Sequence, residues 1–585
     1  MNRECRFPGS EDDKVIIKLQ KQRIMLKLPL SGLISVLCIL SCTHYEKSRL
    51  PQVSYDDVKG FTMPVIKEPV FPQNTANITD FGAVSDGQTL NTQAIADAIE
   101  EVSKKGGGKV IIPRGLWLTG PIILKSNINL YSEEGALIIF SPDKNLYPLI
   151  ETGFEGQNTV RCTSPIYGKG LENIAITGKG IFDGSGEAWR PVKKEKLTEA
   201  QWKELLKSGG IINEDGKIWY PSESYMEGQN MSEMNVPKQF SSLEEYKKIR
   251  DFLRPVMVSL VGCKKILLDG PVFQNSPAWC LHPLMCEDLT IRNVTVRNPW
   301  FSQNGDGLDI ESCKNSIVHD CSFDVGDDGI CIKSGKDADG RKRAMPTENL
   351  VIRNCIVFHG HGVVTIGSEM SGGVKNIYVS GCTFLGTDVG LRFKSNRGRG
   401  GIVENLYFTD IAMINIPTHA ISFNLFYGGS APSEIPENRK NTETNASALF
   451  PVNEGTPQFR NITIKNVICK GASQGIYMQG LPELNLQNIV LENIDIESEH
   501  GLTSIDVNGL SIKGIRLVTK KLPVLSFTNT LNVEIEKLDV PKNGNKYIYI
   551  NGMKSKNITI RSVNPGSEDN ALIGDGAERS SIKIL

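Results

Sequence analysis

From about residue 170 onward the chain repeats one short phrase, an Asn or Asp followed by positions that alternate apolar with other types. Examples are Asn173-Ile174-Ala175-Ile176, Asp288-Leu289-Thr290-Ile291, Asn349-Leu350-Val351-Ile352, Asn376-Ile377-Tyr378-Val379, Asn461-Ile462-Thr463-Ile464 and Asn557-Ile558-Thr559-Ile560. A period of two marks strands, and recurrence marks stacked units. From Ile266 to Leu289 is 23 positions and from Ile377 to Leu406 is 29. Such steps are too short for a strand-helix-strand crossover and suit one three-sided coil, so the pattern predicts an all-β, right-handed parallel β-helix. A second series opens strands with a small residue: Gly307-Leu308, Gly329-Ile330, Gly362-Val363, Gly390-Leu391, Ala420-Ile421 and Gly475-Ile476. Equivalent positions of adjacent coils lie roughly 5 Å apart. Function is therefore to be read down columns.

Two stretches break the rhythm. A polar insertion at about 187–255 carries two helix signals, Thr198 to Lys207 and Ser242 to Phe252, each opened by a capping-box pair, Thr198 with Gln201 and Ser242 with Glu245. A Ser/Asn/Pro/Glu-rich loop spans about 428–457. Both are expected to act as lids, since long loops in compact domains are usually functional. At the front, Asn91 to Lys104 has a helical apolar stripe (Ala94, Ile95, Ala98, Ile99, Val102) that Gly106-Gly107-Gly108 ends. It is expected to cap the open end of the solenoid, which would occupy 76–585.

Composition adds exclusions. In 585 residues, 65 basic side chains face 66 acidic ones, leaving a net charge of -1 and no global field for nucleic acid. At 39% hydrophobic the chain can bury a core, and 56 glycines with 7% aromatics suit a turn-rich β protein. Leu28 to Leu40 is a short apolar run after Lys21, Arg23 and Lys27, ending in Ile39-Leu40-Ser41-Cys42. It resembles a bacterial lipoprotein signal in which Cys42 is lipidated, with residues 1–42 as leader, 43–75 as linker and Met25 as an alternative start. The protein would then be exported, periplasmic or anchored to the outer membrane, touching membrane only through the lipid; a monomer is expected. Of 13 cysteines, ten lie beyond the leader, and no CxxC spacing indicates zinc or redox chemistry. They are expected to be core thiols, although a periplasmic setting permits disulfides.

Successive coils bring chemistry down one column: Asn304-Gly305-Asp306, Gly326-Asp327-Asp328-Gly329, Gly360-His361-Gly362, Arg392-Phe393-Lys394, then Tyr427. Alone, each is a solvated turn or strand face. Stacked, they gather three carboxylates, an imidazole and two cations. Glycoside hydrolysis needs a protonated carboxylic acid beside an ionised carboxylate, and crowded carboxylates split their pKa values to supply both. Arg392 and Lys394, two apart on a strand, point the same way and suit the carboxylate of a uronic acid. Gly326 and Gly329 allow the turn or bulge through which both neighbouring acids can reach one cleft. Asp309 reads as a structural ladder residue.

At these residues the chain resembles the polygalacturonase family of glycoside hydrolases, family 28, whose motifs run Asn-x-Asp, Gly/Gln-Asp-Asp, Gly/Ser-His-Gly and Arg-x-Lys. All four are present, and Gly367-Ser368-Glu369-Met370 with Lys394-Ser395-Asn396-Arg397-Gly398 look like its bacterial, exo-acting members. The resemblance runs from Asp80-Phe81-Gly82-Ala83 to about residue 500. It implies a pectin-lyase-like solenoid and an inverting hydrolysis of galacturonate-containing pectic saccharides without metal or other cofactor. Asp327 would be the proton donor, Asp306 and Asp328 would hold the water, and His361 would tune the acid. Arg392, Lys394 and Tyr427, with Asn304, would bind substrate. Gly305 departs from the Thr of many fungal members. Rhamnogalacturonan or decorated pectin is the competing substrate. A uronate lyase, which needs a base and often calcium, and a non-catalytic carbohydrate-binding β-helix are the rivals from other classes. The insertion, with Trp189, Trp202, Trp219 and Tyr220, and the loop after Tyr427 are expected to wall the groove into a pocket for chain ends. Its aromatics would either face sugars or staple the insertion down.

Overall fold

The structure is a computed structural model that describes residues 58–237, 240, 242–428, 449–540, 547–564 and 570–585. The apolar run Leu28 to Leu40, Cys42, the first part of the expected linker and most of the 428–457 loop lie outside the described residues.

The chain winds as a parallel β-helix whose coils each contribute a strand to three sheets. The first sheet includes Val258–Val261, Leu281–Leu284, Leu308–Glu311, Ile330–Lys333, Gly362–Ile366 and Val389–Lys394. The second includes Glu287–Arg292, Lys314–His319, Thr347–Arg353 and Val374–Ser380; the third includes Thr295–Arg297, Ser322–Asp324, Ile356–Phe358 and Thr383–Leu385. Neighbouring coils pair parallel and in register, as in Leu308↔Ile330, Ile330↔Val364, Val364↔Leu391 and Leu391↔Ile421. These aliphatic side chains are almost wholly buried and form one continuous core along the axis. The register corrects one expectation: Val364, not Val363, continues the Leu308 and Ile330 column, because Ile330 and Val364 each stand six positions beyond the paired third-sheet residues Asp324 and Phe358.

The Asn that opens each phrase turns a corner. Asn315, Asn349, Asn376, Asn405, Asn461 and Asn488 have φ between 53° and 58°, a left-handed conformation that Asn tolerates better than most residues. From Asn349 onward each of these amides also donates to the Asn one coil earlier: Asn349 Nδ2 to Asn315 Oδ1 at 3.1 Å, Asn376 to Asn349 at 3.0 Å, Asn488 to Asn461 at 3.1 Å. The repeated phrase is thus a corner device as well as a strand opener.

Thr92–Lys104 forms the expected capping helix, burying Ala94, Ile95, Ala98, Ile99 and Val102. Asn91 precedes it, but its side chain bonds Val84 N and O and not the helix amides. Residues 58–74, expected to be linker, lie without regular secondary structure against the solenoid, where Glu68 Oε1 is 2.5 Å from Arg292 Nη1 and Met63 and Ile66 are buried. In the insertion, Glu199–Lys207 and Leu243–Tyr246 with its 3-10 continuation Lys247–Phe252 form behind Thr198 and Ser242, and both capping boxes are made. Sequence reading missed the helix Glu223–Met231 and the antiparallel hairpin Leu149–Phe154/Gln157–Cys162. Trp189, Trp202, Trp219 and Tyr220 are at most 6% exposed. They staple the insertion and offer no face to a sugar. All ten body cysteines are buried free thiols.

The corner device makes a stability prediction. Asn376→Ala removes two amide rungs, the one to Asn349 and the longer one from Asn405, and places Ala at φ 57°. It should lower stability by about 1–3 kcal/mol, read as a lower urea midpoint with unchanged slope.

Candidate active site

The corner between the third and first sheets carries the candidate acids. Coil-to-coil hydrogen bonds hold successive corners in line: Gly307 N to Asp328 O at 2.9 Å, Gly329 N to Gly362 O at 2.7 Å, His361 N to Asp327 O at 2.9 Å, and Val389 N to His361 O at 3.1 Å. Only glycine permits this approach at several points. A Cβ on Gly326 would stand 2.5 Å from Pro299 O, and one on Gly360 2.6 Å from Asp327 O. Gly305 has its own reason, since a Cβ there would meet Ser302 Oγ, so the departure from Thr accommodates Ser302. One oxygen from each of Asp306, Asp327 and Asp328 lies within 4.8 Å of the others.

The three acids have different surroundings. Asp328 is 2% exposed and gripped by both cations, Arg392 Nη1 to Oδ1 at 3.0 Å and Lys394 Nζ to Oδ2 at 2.8 Å, while Cys331 Sγ approaches Oδ2 at 3.3 Å. Burial pushes its carboxyl upward, but Lys394 and then Arg392 overcome that and hold it well below the usual range. Asp306 is 4% exposed, and its Oδ1 has no hydrogen-bond partner. Burial first, then the charges of Asp327 and Asp309, push it well above the usual range. Asp327 is the accessible acid, with a quarter of its side chain exposed; its Oδ1 accepts from Asp328 N at 3.0 Å and lies 3.3 Å from His361 Nδ1. That contact raises the imidazole against the effect of burial. The Tyr427 ring centroid is 4.9 Å from Lys394 Nζ and 5.6 Å from the Arg392 guanidinium carbon.

Of the residues singled out from the sequence, Asp306, Asp327, Asp328, His361, Arg392, Lys394 and Tyr427 meet at this corner. Asn304 does not turn to the acids: its Oδ1 accepts from Arg254 Nη2 at 2.8 Å, while Arg254 Nη1 holds Pro277 O and Gln303 O. Its part is to brace the loop. Asp309 is a ladder residue opposite Cys331, as expected, yet it also belongs to the cluster. Lys333 Nζ is 3.0 Å from Asp309 Oδ1, 3.5 Å from Glu369 Oε2 and 3.7 Å from the Trp279 ring centroid. The Lys333 pair is close without an aligned hydrogen bond to either Asp309 oxygen. Burial pushes Asp309 up to about 6 against Lys333 and His282, whereas Lys333, Lys394 and Arg399 overcome burial at Glu369 and bring it to about 2. Sequence reading missed Lys333, Glu369 and Asp388, whose Oδ2 is 3.8 Å from His361 Nε2. Glu369 lay within a quoted motif; Lys333 follows Asp328 by five residues on the same strand path, a signal too common to single out. Folding also gathers Asp306, Asp309 and Cys331, and Asp306, Asp327 and Asp328, closely enough to contact one ion, a proximity that linear spacing does not display. Lys333, Arg392 and Lys394 already supply positive charge there.

The family profile of glycosyl hydrolases family 28 matches residues 203–508, and that of rhamnogalacturonase A/epimerase, pectate lyase-like, matches residues 75–141. A probable polygalacturonase of Vitis vinifera is 28% identical over 453 residues, covering 75% of this chain and 78% of the relative. An exo-poly-alpha-D-galacturonosidase of Dickeya chrysanthemi is 25% identical over 458 residues, covering 75% and 71%. The solved exopolygalacturonase of Thermotoga maritima is 32% identical with a TM-score of 0.62, covering 78% of this chain and 94% of that one.

A Cβ on Gly362 would stand 2.4 Å from Thr365 Oγ1, 2.7 Å from Asp328 Oδ1 and 3.0 Å from Arg392 Cδ. Gly362→Ala should therefore destabilise by about 1–3 kcal/mol and lower kcat/KM by more than that loss of folded enzyme explains, measured with active protein counted by calorimetric unfolding.

Proposed function

Because the chain belongs to glycosyl hydrolase family 28 and is a glycoside hydrolase, we propose that it releases galacturonate from the ends of pectic chains by single displacement with inversion. The observation that carries this reading is the asymmetry between neighbouring acids, one pinned ionised by two cations and the other open to the cleft beside an imidazole. Asp328 cannot be the proton donor while Arg392 and Lys394 grip it. Asp327 donates its proton to the glycosidic oxygen, and the water that attacks the anomeric carbon passes a proton to Asp328. Asp306, buried and held toward its protonated form, orients that water. His361 stabilises the Asp327 carboxylate once the proton has left. A sugar carboxylate would share Arg392 and Lys394 with Asp328 across the Tyr427 ring. The acids stand closer than the ~6.5–9.5 Å of typical inverting pairs and the ~5–5.5 Å of retaining ones, so support for inversion comes from the motif resemblance and from the pinning of Asp328.

Action at chain ends is supported by what covers the floor of the groove. Outward positions of the first sheet run Val261, Leu284, Glu311 and Lys333. Over Val261 and Leu284 lies the hairpin: a Cβ on Gly153 would stand 2.6 Å from Leu284 Cδ2, Phe154 stacks on Trp279 at 4.3 Å, and Gly156 O accepts from Lys336 N at 3.0 Å. The insertion reinforces it through Asn235 Nδ2 on Glu155 Oε1 at 2.5 Å. On this reading a polymer ends where the hairpin begins. The rest of the assignment follows this reading: a catalytic β-helix over 76–585, export by a leader with Cys42 lipidated, and a monomer. No helix among the described residues is long and apolar enough to cross a membrane.

Asp327→Asn preserves shape and removes the titrating proton, so kcat on polygalacturonate should fall by at least ~10²-fold while thermal unfolding stays in place; near-normal turnover would refute its role as donor. In a digest of polygalacturonic acid by the unaltered enzyme, viscosity should fall slowly while mono- or digalacturonate of inverted β configuration appears first by NMR. Early collapse of viscosity would exclude chain-end action, and an α product would exclude inversion. Release from rhamnogalacturonan fragments, and not from homogalacturonan, would move the substrate to the competing polysaccharide.

A further inference from the structure

The chain has six tryptophans, and five are between 0% and 6% exposed, while Trp300 is 55% exposed. Other large apolar side chains are as exposed or more so, so the indole is informative only through its place. Its place is the lip of the cleft. The loop from Asn298 to Gly305 is closed on itself by Ser302 N to Pro299 O at 2.9 Å and Asn298 Nδ2 to Gly305 O at 3.1 Å. It leads directly into Asp306 and sits on the next corner, since a Cβ on Gly326 would meet Pro299 O and Ser302 Oγ, both at 2.5 Å. The same loop therefore touches the turns that deliver Asp306 and Asp327.

Two neighbours fix the indole and give it charge. Phe301 packs edge-on to it at 6.0 Å and lines a cavity of about 550 Å³ with Val192, Leu197 and Leu205 of the insertion. Phe301 is the anchor, and Trp300 is the side left open. Lys196, also from the insertion, holds Nζ 5.3 Å from the Trp300 ring centroid. No carboxylate among the described residues lies within ion-pair distance of that ammonium. An aromatic face accepts the C–H face of a pyranose or a cation, and a nearby unpaired ammonium selects an acidic sugar over a neutral one.

We propose that Trp300 and Lys196 form a second sugar-binding site on the lip of the catalytic cleft, holding a galacturonate unit of the bound saccharide. This rests on the galacturonate reading above and adds a contact outside the Arg392 and Lys394 grip. The insertion then contributes to binding through Lys196 and through the loop it braces, not through its buried tryptophans.

The test uses the full-length enzyme with trigalacturonate, and maltotriose as the neutral control. In the Asp327→Asn enzyme, acrylamide quenching of the exposed indole should fall when trigalacturonate is added and stay unchanged with maltotriose. In the active enzyme, Trp300→Ala should raise KM for trigalacturonate about tenfold, more than it lowers kcat. Trp300→Phe should recover most of the loss, and Lys196→Ala should raise KM with a dependence on salt. Unchanged quenching at saturating trigalacturonate, an unaltered KM in Trp300→Ala, or an effect of Trp300→Ala on sedimentation alone would overturn the lip site. If the unaltered enzyme hydrolyses no galacturonan, the galacturonate reading itself fails, and the lip site falls with it; hydrolysis with an indifferent Trp300 overturns the lip site alone.

Discussion

The hydrogen bonds from Gly307 N to Asp328 O and from Gly329 N to Gly362 O tie three successive corners together at one strand spacing, and the rest of the site depends on that tie. It brings residues some twenty to sixty positions apart within reach of one another. A side chain on either neighbour would force the corners apart, which is why glycine flanks every acid. The same spacing runs the whole solenoid, where the Asn rungs and the aliphatic stack satisfy it on the other sides. The geometry of the candidate site is therefore not added to this fold at a loop. It is a local instance of the repeat.

Close stacking sets an electrostatic problem, which the floor of the first sheet resolves. Asp306, Asp309, Asp327, Asp328 and Glu369 could not all ionise in so small a volume. Lys394 and Arg392 on one side and Lys333 on the other divide them: Asp328 and Glu369 are held ionised, while Asp306 and Asp309 are pushed toward protonation. Burial raises all four, so the division follows from the charges around each. Lys394 and Arg392 act on Asp328 and Lys333, Lys394 and Arg399 on Glu369, whereas Asp306 faces three other carboxylates and Asp309 has Lys333 and His282 against burial and Asp328. It leaves Asp327 as the acid at the surface of the cluster, open to a substrate and backed by His361.

The N-terminal half supplies the enclosure. The capping helix closes the core, and the hairpin Leu149–Phe154/Gln157–Cys162 packs on the first sheet at Leu284, with Phe154 on Trp279. The insertion acts at one remove, through Asn235 on Glu155 and through Phe301 and Lys196 around the Trp300 loop. The proposed binding surface and the proposed barrier thus come from different parts of the chain that meet on the first sheet.

The sequence by itself determined the solenoid, the capping helix, the capping boxes at Thr198 and Ser242 and the column of Asp306, Asp327, Asp328, His361, Arg392 and Lys394. Period, end signals and repeat spacing are local quantities, and stacking turns them into neighbours by one rule. What only the tertiary structure decided depends on which way a side chain turns and what else arrives beside it. Asn304 faces Arg254, the insertion's tryptophans face inward while Trp300 does not, and Lys333 comes to rest between Asp309 and Glu369. The hairpin's seat on Leu284 is of the same kind, since strands some 130 residues apart meet there through packing that no periodicity encodes. The pKa ordering of the acids belongs with these, because it is set by burial and by which cations and carboxylates surround each acid, and the linear spacing does not fix those neighbours.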